Sequence, residues 1–122
     1  MFQSNWETNE YSIEDFYKHT NLEYDIIIED DNGPVDFTGH TVEAIFMMKE
    51  SIDDTDANII IEKTSTVVDL SVGHIRLNFG TTDMDLAVEE ETYAYEVALY
   101  VDGSESVTEV GRTKCLKRVK DV

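Results

Sequence analysis

Hydrophobic and polar residues alternate along most of this chain, and the alternation recurs between clusters of turn-forming residues. Leu22, Tyr24, Ile26 and Ile28 interleave with Glu23, Asp25, Ile27 and Glu29, a period of two that predicts a strand with one buried face. Asp30-Asp31-Asn32-Gly33-Pro34 closes it: Asn-Gly supplies the positive φ of a hairpin turn, and Pro34 cannot donate a ladder hydrogen bond. Thr38-Gly39-His40 is a second break, after which Val42, Ala44, Phe46 and Met48 form another alternating face. Residues 50–58 are polar and read as a loop, followed by the β-branched run Ile59-Ile60-Ile61 and by Val67-Val68. Ile75, Leu77 and Phe79 alternate with His74, Arg76 and Asn78. Residues 81–91 form a polar connection with one helical turn near Thr82–Leu86. Tyr93, Tyr95, Val97, Leu99 and Val101 give the clearest strand, ended by Asp102-Gly103, and a last strand is predicted from Val107 to Val119, bent at Gly111.

Six or seven short strands with turn signals between them predict an all-β, antiparallel β-sandwich, although periodicity alone does not separate a sandwich from a small barrel. The first residues lack the period of two. Ser12 and Asp15 are spaced as a capping box, which predicts a short helix over 13–18. Residues 1–16 are therefore read as an N-terminal arm and 17–122 as the sandwich domain. The arm's aromatic residues, Phe2, Trp6, Tyr11 and Phe16, with Tyr17 beside them, suit either of two roles: capping the sandwich or gripping a neighbouring subunit.

Composition narrows the function classes. With 122 residues, 41% of them hydrophobic, there is material for one packed domain. No window reaches the length of a membrane span, the first residues do not form a secretory signal, and no membrane partner is expected. The net charge of −18 is unevenly spread: residues 1–111 hold 26 acids and 4 bases, whereas 112–122 hold 5 bases and 1 acid. An acidic body repels phosphate, so nucleic acid is not an expected partner. The acidity reads as solubility or adaptation to salt; imitation of DNA for a basic protein is the sharper alternative. The basic residues Arg112, Lys114, Lys117, Arg118 and Lys120 can dock on an acidic neighbour, including another copy of the same body.

Catalytic motifs are missing from the sequence. His19, His40 and His74 lie near strand ends without metal-ligand spacing, and the single cysteine, Cys115, has no second cysteine for an internal disulfide and reads as a packing residue. Asp54, Asp56 and Asn58 match the first ligands of a calcium loop, but Ile59 takes the glycine position and Ser65 the glutamate position. A polar loop is the better reading, and no cofactor, metal or enzymatic activity is expected. One surface feature stands out. Ile27, Ile45, Met47, Ala94, Ala98 and Tyr100 occupy outward strand positions where a solitary sandwich carries polar residues. Such a face predicts a cover, supplied by the chain's own arm or by another protein.

The ordered landmarks carry a resemblance. Leu22–Ile28 followed by Asp31-Asn32-Gly33-Pro34-Val35-Asp36-Phe37-Thr38-Gly39-His40-Thr41-Val42 resembles the "D-x-G-x-P-V-D-L-T-G-x-T-V" signature of tailed-bacteriophage virion proteins. Val72–Phe79 is similar to their "G-x-I-x-L" strand, Thr92–Leu99 to "G-x-Y-x-Y-D-V-x-L", and Val110-Gly111-Arg112 and Asp121-Val122 to the closing strand and "D-V-T" end. Residues 17–122 thus resemble the amino-terminal domain of the phage baseplate upper protein and related tail modules. The resemblance implies an immunoglobulin-like β-sandwich located in the virion and assembled in the host cytoplasm. Its implied role is non-enzymatic: attachment of peripheral parts to other virion structural proteins, in multiple copies of a symmetric assembly. The chain ends at Val122 where those relatives continue into a receptor-binding arm, which favours a small adaptor or decoration subunit. Partner contacts are expected from Phe2, Trp6, Tyr11, Phe16, Tyr17, Ile45, Met47, Tyr100, Arg112, Lys114, Lys117, Arg118 and Lys120. A carbohydrate-binding sandwich, using exposed aromatics to stack on sugars, is the remaining alternative.

Overall fold

In a computed structural model, which describes residues 7–8, 15–17, 21–51 and 58–117, the alternating segments become strands of two antiparallel sheets. The strands are β1 (Glu7–Thr8), β2 (Leu22–Asp30), β3 (Gly33–Pro34), β4 (Val42–Lys49), β5 (Ile61–Thr64), β6 (Thr66–Asp69), β7 (His74–Phe79), β8 (Thr92–Val101) and β9 (Ser104–Lys114). One sheet has the order β1-β2-β7-β6, with β3 folded back on β2; the other has the order β5-β4-β8-β9. Lettered by the immunoglobulin scheme these are A-B-E-D and C′-C-F-G, so the sandwich is immunoglobulin-like in topology as well as in outline.

The inner face follows from the period of two. In β4 the residues Val42, Ala44, Phe46 and Met48 are buried, and in β7 so are Ile75, Leu77 and Phe79. The sheets meet through rings. Phe46 of β4 stands edge-on to Phe79 of β7 with centroids 5.0 Å apart, and stacks on Tyr95 of β8 at 5.8 Å. Tyr24 of β2 extends the line against Phe79 at 6.0 Å. Such ring pairs add directional stabilisation to the area they remove from water. Gly111 explains itself here. It lies opposite Tyr95 in the β8–β9 ladder, and a Cβ added to it would stand 2.5 Å from the Tyr95 hydroxyl. The glycine makes room for a ring; it does not bend the strand, which runs unbroken from Ser104 to Lys114 and is shorter than the predicted 107–119 at its end.

Turn chemistry fixes the connections. Asp102 (φ 51°) and Gly103 (φ 85°) form the two-residue hairpin between β8 and β9, matching the twist of the strands it joins. At the β2–β3 turn the positive φ falls on Gly33 alone (104°), and Asp30 Oδ1 accepts the Asn32 N–H at 2.8 Å. Before β8, the Tyr93 hydroxyl accepts the Val88 N–H at 2.6 Å, the corner tyrosine that ties strand F to the preceding loop in immunoglobulin-like sandwiches.

The start of the chain departs from the predicted helix. Phe16 forms a parallel bridge with Cys115: its N–H donates to the Lys114 carbonyl at 2.9 Å, and its own carbonyl accepts the Leu116 N–H at 2.7 Å. Asp15 does not cap a helix; its carboxylate accepts the Lys114 N–H at 3.0 Å. The Phe16 side chain is 1% exposed and belongs to the core, as does Cys115 at 0%. Glu7 and Thr8 meanwhile pair with Glu29 and Ile28 of β2. The described parts of the first segment thus join both sheets, and the boundary drawn after residue 16 cuts through a core contact.

Gly73 makes the fold's tightest backbone approach. Its φ is 63°, it closes the 3-10 turn Leu70–Val72, and a Cβ there would lie 2.8 Å from the Ile28 carbonyl oxygen and 3.0 Å from that of Val35. Gly39 shares a positive φ (86°) but faces open space. Gly73→Ala should therefore cost about 2–4 kcal/mol in urea unfolding, because the clash adds to the backbone penalty, and Gly39→Ala about 1 kcal/mol. Equal losses would show that conformation alone matters at residue 73.

Candidate functional site

The outer faces of the two sheets differ in character. On the A-B-E-D sheet, Asp25 of β2 sits between two bases of β7: its Oδ1 accepts from Arg76 Nε at 2.7 Å and lies 2.9 Å from His74 Nε2. These hydrogen bonds, that of Arg76 foremost, hold the Asp25 carboxyl below its ordinary value. Asn78 donates to the Thr66 hydroxyl at 3.1 Å on the same face. The polar groups there satisfy one another.

The outer face of the C′-C-F-G sheet carries apolar residues at its centre, with Glu96 among them. Cross-strand pairing aligns Ile45 of β4 with Ala98 of β8 and Thr108 of β9, and Met47 with Glu96 and Val110. Ala94 and Ala98 are 5% and 0% exposed, yet neither belongs to the core cluster. Both point outward, and the rest of the chain closes over them. Val110, by contrast, is 52% exposed. Glu43, Tyr100 and Glu105 form a row at one end, and Lys49, Ala94 and Arg112 a row at the other. Desolvation first, and then the charges of Glu105, Glu96 and Glu43, push the Tyr100 phenol above its ordinary value.

Of the residues predicted for partner contact, Ile45, Met47 and Tyr100 come together on this face, and Arg112 adjoins them on β9. Lys114 is half-buried and its Nζ lies 3.2 Å from Glu90, so its charge is already engaged. Lys117 is exposed past the end of β9. Tyr17 is 45% exposed, and alternation turns it to the side opposite Phe16, alongside that end of the sheet. Phe16 is a correction: its ring is in the core and out of a partner's reach. Ile27 belongs to the other sheet and lies apart from the group. Phe2, Trp6, Tyr11, Arg118 and Lys120 fall outside the described residues, as do His19, Asp54 and Asp56. Sequence reasoning places Glu43 and Glu96 at outward strand positions but misses Val110 and Glu105. The β8–β9 register brings Val110 and Glu105 to this face, and a final strand started three residues late hides that register.

The remaining titratable groups serve the turns. His40 Nδ1 lies 2.8 Å from Asp102 Oδ2, while Asp102 Oδ1 accepts the Thr41 N–H at 3.0 Å. Asp83 accepts the Gly80 N–H and lies 3.0 Å from Lys63 Nζ. Among the described residues no group of three or more His, Cys, Asp or Glu side chains could hold a metal ion, and no described helix is long and apolar enough to cross a membrane. Compared with protein-family models and with curated proteins, the chain matches none.

Asp25, Asp36, Asp83 and Asp102 are all held below their ordinary values by the hydrogen bonds they accept. A carboxyl with a depressed folded pKa stabilises the fold above its unfolded pKa and loses that contribution as pH falls through the folded value. These four therefore oppose the relief of charge repulsion that acid otherwise brings to a chain of net charge −18. For Asp83, whose largest cause is the Gly80 N–H followed by Lys63, Asp83→Asn should lower stability at neutral pH on the order of 1 kcal/mol. Urea titrations should show that gap closing below about pH 4; a gap constant with pH would mean that the charge is irrelevant there.

Proposed function

We propose that this protein is a non-enzymatic structural subunit of a bacteriophage virion, an adaptor or decoration module of the tail or baseplate that docks on other virion proteins. The observation that carries the reading is the outer face of the C′-C-F-G sheet. Ile45, Met47 and Val110 lie there beside the buried Ala94 and Ala98, on a chain with charge to spare for a water-facing sheet. Apolar surface at the centre of a patch with a polar rim is the ordinary anatomy of a protein–protein interface. The immunoglobulin-like topology supports the same reading, since it is the fold implied by the resemblance to the amino-terminal domain of the baseplate upper protein.

The arrangement of acids favours docking over imitation of DNA. A mimic needs its carboxylates gathered on one presented face, and here acids such as Asp30, Asp36, Asp69 and Asp102 are bound to turn backbone, while Glu43, Glu96 and Glu105 share their face with Ile45, Met47 and Val110.

The test is made in phage particles from the strain that carries the gene. The protein should be found in purified virions by mass spectrometry. Ile45→Thr combined with Met47→Gln should leave stability within about 1 kcal/mol while reducing incorporation at least about tenfold. Virions lacking the protein, or incorporating both forms equally, would overturn the assignment.

A further inference from the structure

The outer face of the C′-C-F-G sheet is arranged to meet itself. Cross-strand pairing divides it into four rows, two residues apart along β4 and β8 and three apart on β9 where a bulge separates Glu105 from Thr108: Glu43–Tyr100–Glu105, Thr64–Ile45–Ala98–Thr108, Glu62–Met47–Glu96–Val110 and Lys49–Ala94–Arg112. The first row carries two acids and a ring, and the fourth carries two bases and a small residue.

A twofold axis can lie in the plane of this face, perpendicular to the strands, between the second and third rows. It keeps each strand over its own counterpart and reverses the order of the rows. Glu43 then faces Lys49 of the second copy along β4, and Glu105 faces Arg112 along β9. Between them on β8, Tyr100 meets the small, buried Ala94. At the centre Ile45 meets Met47 along β4, Thr108 meets Val110 along β9, and Ala98 meets Glu96 along β8. Sheets packed face to face keep their strand directions within about 30°, so the opposition of rows persists across a four-stranded face.

We infer that the protein forms an isologous homodimer through this face, with strands antiparallel across the interface and Glu105 of each copy paired with Arg112 of the other. This rests on reading the face as an interface, and it names a second copy as the occupant. Self-complementarity of one patch is what a twofold contact requires.

The magnitude is bounded by size. Four strands about 4.8 Å apart and four rows about 6.8 Å apart give a projected face on the order of 500 Å² per copy, below that of a standard interface. Two bodies of charge −18 also repel. At about 0.15 M salt that repulsion is screened beyond about 8 Å, while charges in contact are screened much less. The dimer is accordingly one of micromolar to millimolar affinity, and copies held together in an assembly populate it through their high effective concentration.

Charge reversal tests the geometry in the full chain. The first and fourth rows are about 20 Å apart within one copy, so Glu105 and Arg112 do not rescue each other internally. Sedimentation equilibrium from about 10 μM to about 1 mM should show the wild-type chain passing from monomer to dimer. Arg112→Glu and Glu105→Arg should each weaken association at least about tenfold. An equimolar mixture of the two should recover it, because every opposed pair is then again one acid and one base; so should the double variant. Circular dichroism and melting temperature confirm that each variant is folded. A wild-type chain monomeric throughout, single variants that dimerise normally, or a mixture no better than its components would each overturn the inference. A monomer that enters virions only with Ile45 and Met47 intact would sink the homodimer and leave the proposed function standing. A dimer absent from virions would do the reverse.

Discussion

The pairing of β4 with β8, from Val42 opposite Val101 to Lys49 opposite Ala94, decides both faces of the larger sheet at once. With a side-chain period of two, a slip of one residue would carry Phe46, Met48 and Tyr95 into water and turn Glu43, Glu96 and Lys49 into the core. The register is held at its open end by Asp102, whose carboxylate accepts the Thr41 N–H and whose own N–H donates to the Thr41 carbonyl at 2.8 Å. On the other flank Ser65 makes a reciprocal pair with Ala44, donating its N–H to the Ala44 carbonyl and accepting the Ala44 N–H on its hydroxyl, each at 2.8 Å. The same ladder that builds the aromatic core therefore dictates which side chains stand in rows outside it.

Much of this architecture is legible from sequence because burial on one face writes itself as alternation. The β2, β4, β7 and β8 segments are readable residue by residue for that reason, and the Asp102-Gly103 turn is readable from its dipeptide. What escapes is determined by partners distant in the chain. Asp15 has the spacing of a helix cap, but its acceptor oxygen is taken by the N–H of Lys114, 99 residues away. Gly111 looks like a bend until Tyr95 is seen lying over it. Strand β6 has all four residues exposed, Val67 and Val68 among them, so its apolar side chains report an edge where burial was the natural guess. The apolar outer positions of β4 and β8 are visible one strand at a time, yet their organisation into rows depends on cross-strand register.

The acidity takes on a different meaning once the turns are in view. Asp30, Asp36 and Asp69 each accept a backbone N–H two residues ahead, and Asp83 and Asp102 accept the N–H groups of Gly80 and Thr41. Aspartate suits these places because its short side chain folds back on its own backbone. Part of what composition presents as a solubility device is thus hairpin chemistry, and it makes the connections of the sandwich sensitive to acid in a way that a dispersed surface charge would not.

The two outer faces show why one of them is the better docking surface. On the A-B-E-D sheet, Asp25 is already shared by Arg76 and His74, so a partner would have to desolvate groups that gain nothing new from it. On the C′-C-F-G sheet, Glu43 and Glu105 stand at one end and Lys49 and Arg112 at the other, with Ile45, Met47 and Val110 between them beside Glu96. Alanine is a poor strand former, and a water-facing position on a central strand is better filled by threonine or valine. Ala94 and Ala98 take outward positions on β8 that are not water-facing: they are 5% and 0% exposed, closed over by the rest of the chain. The middle of this face is therefore already packed, and the apolar surface it leaves to water is carried toward its β9 side, where Val110 is 52% exposed.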